Sequence, residues 1–448
     1  MSSKAAKHWE EIFRSTSLLE EIRQRGWIRL RTQDLRERYH AEPRLLKKVD
    51  EYESLPDVFR NYGIVPISLT NQEYVLLQIG EGGKPLFPTL PSPKGLPRWQ
   101  DTRTLTKFLT LPWATGFTNE SQALDAAYLS GILSDFVREE ELYLTIRGRM
   151  RFRHEIPLRF YTEEGIKEFF EEGGKPLTAS GFQLEIDAGY ESPHFVYLIE
   201  AKKRIQKSFN LRQVVFPYHL WNHILRGEKT VRSLFLVYTN PYYFLYEIEI
   251  TDPSVLNAIR ITRSAWYALG TPPLSLEEVQ KLITTLHPKE IPETPFPQAD
   301  SLLRIYNLLE VLTQRENMTP EEVATEEEFD IRQGHYYLSA AEWLGWIKQA
   351  KQEQRILTKI GRQIAKGDTV QRALLTMKSL AQRPVFHESF EWWVKHRNLP
   401  PKPKITHWIK QASQQRKIKP LSGATPARRA QTVLAWLRLL YPMVKERP

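Results

Sequence analysis

The segment Phe195 to Ile199 (FVYLI) is an unbroken apolar run that stops abruptly at Glu200-Ala201-Lys202. Such a run predicts a strand buried on both faces at the centre of a sheet. Its neighbours complete an α/β block over residues 182–250: FQLEIDAGYE before it, then a helix-like NLRQVVFPYHLWNHIL, then VRSLFLVYT and YYFLYEIEI. Strand, strand, helix, strand, strand is the expected order.

The charged end of that strand is where chemistry can sit. Glu200 and Lys202 are two residues apart, so on a strand they face one side while Ala201 turns to the other. Asp187 ends the preceding strand, and if the two strands are hairpin neighbours it reaches the same point. Two carboxylates supply hard oxygen ligands for Mg²⁺, with Mn²⁺ as a substitute, and the Ala201 carbonyl could add another. A metal so held acidifies a bound water, and Lys202 would orient that water or offset charge on a phosphoryl transition state. Glu185, on the Asp187 face, is an auxiliary candidate; Glu191 is a weaker one. Lys203, Arg204, Lys207 and Arg212 follow and put positive charge where a DNA backbone would lie. For the three residues by themselves, an exposed salt-bridged strand end is the ordinary explanation.

The rest of the chain divides at Pro288 to Pro297, four prolines in ten residues, which reads as a linker. Before it, Ser275 to Glu278 has capping-box form. After it come helical spacing at Leu302, Ile305, Leu309 and Leu312, a helix start at Thr319-Pro320-Glu321-Glu322, and an apolar face from Tyr336 to Ile347. Arg355 to Lys359 and Gly361 follow, and the sum suggests a winged helix with Arg332 on its third helix. An earlier stretch has the same form: a cap at Asn119, a helical face from Leu124 to Val137, and a strand running to a glycine turn at Gly148. Arg147, Arg149, Arg151 and Arg153 surround that turn, either as a phosphate-contacting wing or as an edge hairpin protected by charge. Ile64 to Ile79 reads as a β-hairpin around Thr70-Asn71. Tyr62-Gly63-Ile64 spells half of a GIY-YIG nuclease signature, with no second half. His219 and His223 are one helical turn apart but lack a third metal ligand, and Trp392-Trp393 read as core.

Charge divides unevenly. Residues 341–448 carry 22 Lys and Arg against 6 Asp and Glu, a balance of +16, so the rest is near −6 within a total of +10. A basic module on a mildly acidic body suits a phosphate backbone, or is a solvated helical surface. The absence of cysteine excludes a disulfide framework, a thiolate metal site and a cysteine nucleophile. With no apolar run near 18 residues and a charged start, a cytoplasmic protein without membrane contact is expected.

EIDAGYE, then YLIEAKK, then FNLRQVVFPY resembles the core of a PD-(D/E)XK family of type II restriction endonucleases. FRNYGIVPISLTNQEYVL, TNESQALDAAYLSGIL, LYLTIRGRMRF, RQGHYYLSAAEWLGWI and ATPARRAQTVLAWLRLL, with Arg428 and Arg429, extend the likeness over most of the chain. The resemblance implies an α/β multidomain protein with a PD-(D/E)XK restriction-endonuclease-like core, two winged-helix-like modules and an α-helical C-terminal region. It implies Mg²⁺-dependent, sequence-specific cleavage of double-stranded DNA, Asp187, Glu200 and Lys202 in the catalytic roles, and a cognate DNA methyltransferase as functional partner. Cutting both strands with one site per chain makes a homodimer reasonable. A repair or anti-phage nuclease of the same fold with little sequence preference, and a non-catalytic DNA-binding regulator, are the alternatives. The expected boundaries are an α+β region at 1–98, a winged-helix-like module at 99–160, the nuclease core at 161–287, the linker at 288–298, a second module at 299–368 and a basic helical region at 369–448. The stretch from Phe160 to Gly181 departs from the family and obscures an upstream helix acid, for which Glu168 is the candidate. Gln213 stands where related exonucleases carry a helix glutamine, but Pro217 replaces the tyrosine four residues on.

Overall fold

A computed structural model describes residues 3–41, 49–70, 72–92, 94–111, 117, 119–272, 274–289, 295–315, 317–326, 331–350 and 353–445. The chain is mixed α/β and forms two units, one of Met1–Gly95, Thr118–Tyr238 and Tyr243–Tyr267, the other of Leu96–Phe117, Thr239–Tyr242 and Ala268–Pro448. No described helix is long and apolar enough to cross a membrane.

In the first unit, helices α1 (Ser3–Ser15) and α2 (Leu18–Arg25) precede strand β1 (Trp27–Arg31), and α3 (Asp57–Tyr62) precedes β2 (Ile64–Ser68) and β3 (Glu73–Gln78). The three strands pair antiparallel in the order β1-β3-β2. β2 and β3 form the expected hairpin; Asn71 of its turn lies outside the described residues.

Next come α4 (Glu120–Leu129), α5 (Ile132–Val137) and the long strand β4 (Tyr143–Arg151). Asn119 caps α4, its side chain accepting the Gln122 N–H at 2.9 Å. A short hairpin, β5 (Arg159–Thr162) and β6 (Gly165–Glu168), leads to β7 (Gln183–Glu191) and β8 (Phe195–Lys202), then α6 (Arg212–Leu225), β9 (Thr230–Thr239), β10 (Tyr242–Ile250) and β11 (Ile259–Leu269). Within the first unit the large sheet runs β11-β10-β9-β8-β7-β4. β4, β7 and β8 pair antiparallel, whereas β8 and β9 run parallel, joined through α6. Val196 to Ile199 are buried, as a central strand requires. Ile146, Ile186, Val196, Leu198 and Val231 make a sheet-face cluster against which Tyr218, Trp221 and Leu225 of α6 pack.

Two expectations are corrected. Gly148 is not a turn: its φ of 103° lies inside β4, which continues to Arg151 beside β7, so the four arginines do not surround a wing. The alternation that begins at Leu142 simply carries on, and glycine absorbs the local distortion without ending the strand. Glu168 is on strand β6, not on a helix, and pairs with Arg159 at 2.5 Å.

His219 lies on the packed side of α6, where burial lowers its pKa to about 4. His223, one turn on, instead lies against His154 with ring centroids 3.5 Å apart and the rings tilted by 37°. Because the unfolded chain binds the His219 proton near pH 6.5 and the folded chain does not, this group's contribution is complete above pH 6.5 and is lost as pH falls toward 4. The loss amounts to at most about 3 kcal/mol. A His219→Gln variant should therefore lose less of its stability than the native chain between pH 7 and pH 4.5. Parallel acid limbs in denaturant melts of the two proteins would refute this.

The second unit carries α7 (Leu276–Thr285), capped by the Ser275–Glu278 box, then α8 (Leu302–Arg315), β12 (Asn317–Met318), α9 (Pro320–Glu326), α10 (Ile331–Trp343), β13 (Ile347–Gln349), β14 (Arg355–Leu357) and α11 (Lys359–Lys366). The strands pair antiparallel in the order β12-β14-β13. The strand β12 was not expected from the sequence. Four longer helices follow: α12 (Thr369–Ala381), α13 (Pro384–His396), α14 (Lys402–Gln414) and α15 (Thr425–Leu440). Part of the proline-rich linker, residues 290–294, lies outside the described residues.

Candidate active site

The site forms where the β7–β8 ladder ends. Pairing runs from Glu191↔Val196 to Ala188↔Ile199. The next step would set Asp187 opposite Glu200; instead, Asp187 Oδ2 accepts the Ala201 N–H at 2.8 Å. On its other edge β7 shifts register against β4 between Ile186 and Gly189, a bulge of the kind that re-aims a side chain. Gly189 has to be glycine there, since a Cβ would stand 2.7 Å from that of Ile146. The bulge and the broken ladder together present Asp187 beside Glu200.

A cleft of about 430 Å³ opens at this point, lined among others by Asp50, Glu120, Asp187, Glu200, Lys202 and Gln213. Lys202 Nζ lies 2.8 Å from Glu200 Oε1 and 3.5 Å from Asp50 Oδ2. Gln213 Nε2 donates to Glu200 Oε1 at 2.8 Å, and the Gln213 Oε1 is buried without a partner. Asp187, Glu200 and Lys202 are thus brought together as the sequence reading expected, with Gln213 beside them.

Electrostatics follow from an excess of acid. Four carboxyl groups surround one ammonium in a half-buried cleft. Burial, with Asp187 and Asp50 nearby, pushes Glu200 up to about 8 despite Lys202. Burial also raises Asp187, against the Ala201 N–H and Lys202, and raises Glu120, against Lys202 and the Lys203 N–H. Burial alone would lower Lys202, but Glu200 and Asp50 outweigh it and keep the ammonium charged. Among the described residues, no three Asp, Glu or His side chains stand close enough as they lie to hold a metal. Lys202 holds Glu200 instead. The donor set nevertheless fits a divalent cation: hard oxygens, surplus negative charge and an orphaned amide oxygen in one cleft.

Glu120 and Asp50 were missed from the sequence. Glu120 is the first residue of α4, an ordinary position for an acid at a helix N-terminus, and only the fold aims it at Lys202. Asp50 carries no local signal at all. Other candidates scatter. Glu185 lines the cleft but is exposed and pairs with Arg149 at 3.3 Å. Glu191 pairs with Lys229 at 2.6 Å, at the other end of β7. Arg147 pairs with Asp125 at 2.7 Å, and Arg151 is exposed. Arg212 lines the cleft, and Lys203 and Arg204 follow β8, half-buried. In the second unit Arg332 and Arg428 are exposed and Arg429 is half-buried.

Three stretches of the chain are similar to domains of unknown function: residues 6–76 to DUF6996, residues 97–268 to DUF6997 and residues 304–445 to DUF7226. No curated protein and no solved structure matches the chain.

Proposed function

We propose that this chain is a divalent-metal-dependent deoxyribonuclease with a PD-(D/E)XK core, and that it cuts double-stranded DNA at specific sites. The carrying observation is the cleft at the β7–β8 divergence, where Asp187, Glu200 and Lys202 meet on one side of a central strand with Gln213 and Glu120 added from two helices. The helix–strand–strand–strand–helix–strand order of α4, β4, β7, β8, α6 and β9 suits such a core.

Asp187, Glu200 and the Ala201 carbonyl would hold Mg²⁺ or Mn²⁺, which supplies an acidified water and neutralises charge on the phosphoryl oxygens. The chain's own groups do the rest. Lys202, kept protonated, donates to a non-bridging oxygen as negative charge builds there, and Gln213 fixes the Glu200 carboxylate. Water adds to phosphorus with loss of one proton to solvent, the phosphorus–O3′ bond breaks, and the leaving O3′ takes up a proton from solvent, which leaves a 5′-phosphate and a 3′-hydroxyl.

DNA retention is assigned to the second unit. Residues 392–445 contain 12 Lys and Arg and no Asp or Glu. Lys395, Arg397, Lys402, Lys404 and Lys410 of this stretch are exposed, and Lys404 Nζ stands 5.7 Å from both the Trp392 and Trp408 rings. The helix–strand–helix–helix–strand–strand order from α8 to β14 is winged-helix-like, with α10 and Arg332 as the reading element. Purified protein with phage DNA and Mg²⁺ should give discrete bands; a smear would reject site specificity, and no cleavage with either metal would reject the nuclease. Changing Lys395, Lys404 and Lys410 to Ala should flatten the salt dependence of DNA affinity, measured in chelator, by a slope of about 2 to 3. An unchanged slope would remove this face from the DNA contact.

A further inference from the structure

Of the four carboxyl groups around it, Lys202 forms ion pairs with two of different origin. Glu200 precedes it by two residues on the same strand, at 2.8 Å, whereas Asp50 reaches in from the N-terminal segment, at 3.5 Å. The Lys202 and Glu200 side chains are only 14% and 12% exposed, against 31% for Asp50. One ammonium thus bridges a deep carboxylate and a shallower one.

Asp50 is held there by the loop that joins β8 to α6. Buried Asn210 donates its Nδ2–H to the Val49 carbonyl at 2.8 Å and its backbone N–H to the Asp50 carbonyl at 2.7 Å. Ser208 Oγ accepts the Tyr52 N–H at 2.8 Å and donates to Glu53 at 3.2 Å. Among the described residues these bonds are made by the backbone and by neighbouring side chains rather than by the Asp50 carboxylate, which faces Lys202 with Arg212 nearby. The loop that follows Lys202 in sequence therefore sets the acid that faces it.

We propose that Asp50 is a positioning residue: it draws the Lys202 ammonium off Glu200 when Glu200 engages a divalent cation, so that metal and lysine occupy the cleft together. This rests on the nuclease reading of the cleft. With Glu200 as its only partner, a buried lysine would compete with the cation for the same oxygens, and binding either would strand the other charge. A second carboxylate within ion-pair reach of Nζ removes that conflict. The segment before β2 is then part of the active site, although it is separate in sequence from the stretch that carries the other groups.

The test is a double-mutant cycle read by Mn²⁺ binding, using calorimetry on the full chain without DNA. Asp50→Asn should weaken Mn²⁺ about fivefold or more in the native background. In the Lys202→Met background the same change should cost less than about twofold, because the competitor it restrains is gone. Lys202→Met alone should bind Mn²⁺ at least as tightly as the native chain, and Asp50→Glu should retain most of the native affinity. Equal losses from Asp50→Asn in both backgrounds would overturn the proposal and make Asp50 a ligand or a bare charge. Native protein that binds Mn²⁺ with an additive cycle sinks only this inference; native protein that neither binds Mn²⁺ nor cleaves sinks the nuclease reading with it. Circular dichroism melts of each variant separate these outcomes from misfolding, and a misfolded Asp50→Asn leaves the decision to Asp50→Glu, whose affinity must then stay near native.

Discussion

Lys202→Ala is expected to lower Mg²⁺-dependent DNA cleavage by about a hundred- to a thousandfold, the loss typical of removing one preorganised donor from a transition state. The change takes away the ammonium at the centre of four carboxyl groups, so charge on the phosphoryl oxygens has no cation from the chain at that position. It also leaves Glu200 and Asp50 without their common partner. A local cost in stability should accompany the loss of activity, so melts are needed beside the rates. Lys202→Arg should not restore the rate, because a planar guanidinium cannot take the place of a compact ammonium between Glu200 and Asp50. Asp187→Ala should cost as much by a different route, since it removes a proposed metal ligand and frees the Ala201 N–H that it accepts. Because the two groups act on one event, the double variant should be scarcely slower than either single one. Plasmid linearisation rates for the four proteins check this. Cleavage by Lys202→Ala at the native rate would end the assignment of the site.

How much of this could be read from the sequence depends on how local each signal is. The apolar run before Glu200 specifies a buried central strand by itself, and period-two geometry then puts Glu200 and Lys202 on one side. Asp187 needed one further assumption, that consecutive strands pair, which short connections usually satisfy, and its expected place at a strand end was wrong, since it stands in the middle of β7. The bulge that aims it was invisible, because it depends on the Gly189–Ile146 approach between β7 and β4. Gly148 misled for the opposite reason: a glycine among arginines looks like a turn, yet in β4 it only absorbs a positive φ within a continuing strand. Glu120 and Asp50 come from elements 67 and 137 residues before Asp187 and converge on Lys202 through tertiary structure alone. Glu168 was sought as a helix acid in a segment whose alternating Arg159–Thr162 and Gly165–Glu168 form a hairpin.

Gly361→Ala, an exchange that in an ordinary helix stabilises by about 1 kcal/mol, should here destabilise the second unit by about 3 kcal/mol or more. Gly361 is the third residue of α11, whose N-cap Thr358 accepts the Gly361 N–H at 3.1 Å. The helix start lies directly against Trp346: a Cβ on residue 361 would meet the Trp346 carbonyl oxygen at 1.9 Å. That oxygen is also the acceptor for the Thr358 N–H at 2.9 Å and the Thr358 hydroxyl at 3.0 Å, so it cannot move aside without loosening the cap. Nor can Trp346 yield, being fully buried with its indole N–H on Ser379 at 3.0 Å. The clash is backbone against Cβ, which no rotamer relieves. The consequence is specific to the proposed division of labour. DNA affinity in chelator should fall by at least about tenfold, as the module from α8 to α11 loosens, while Mn²⁺ binding in the first unit should stay native. If Gly361→Ala instead raises the melting temperature, the α11–Trp346 contact is not what holds this module. If the module unfolds and DNA affinity is unchanged, the module from α8 to α11 is not where the chain grips DNA.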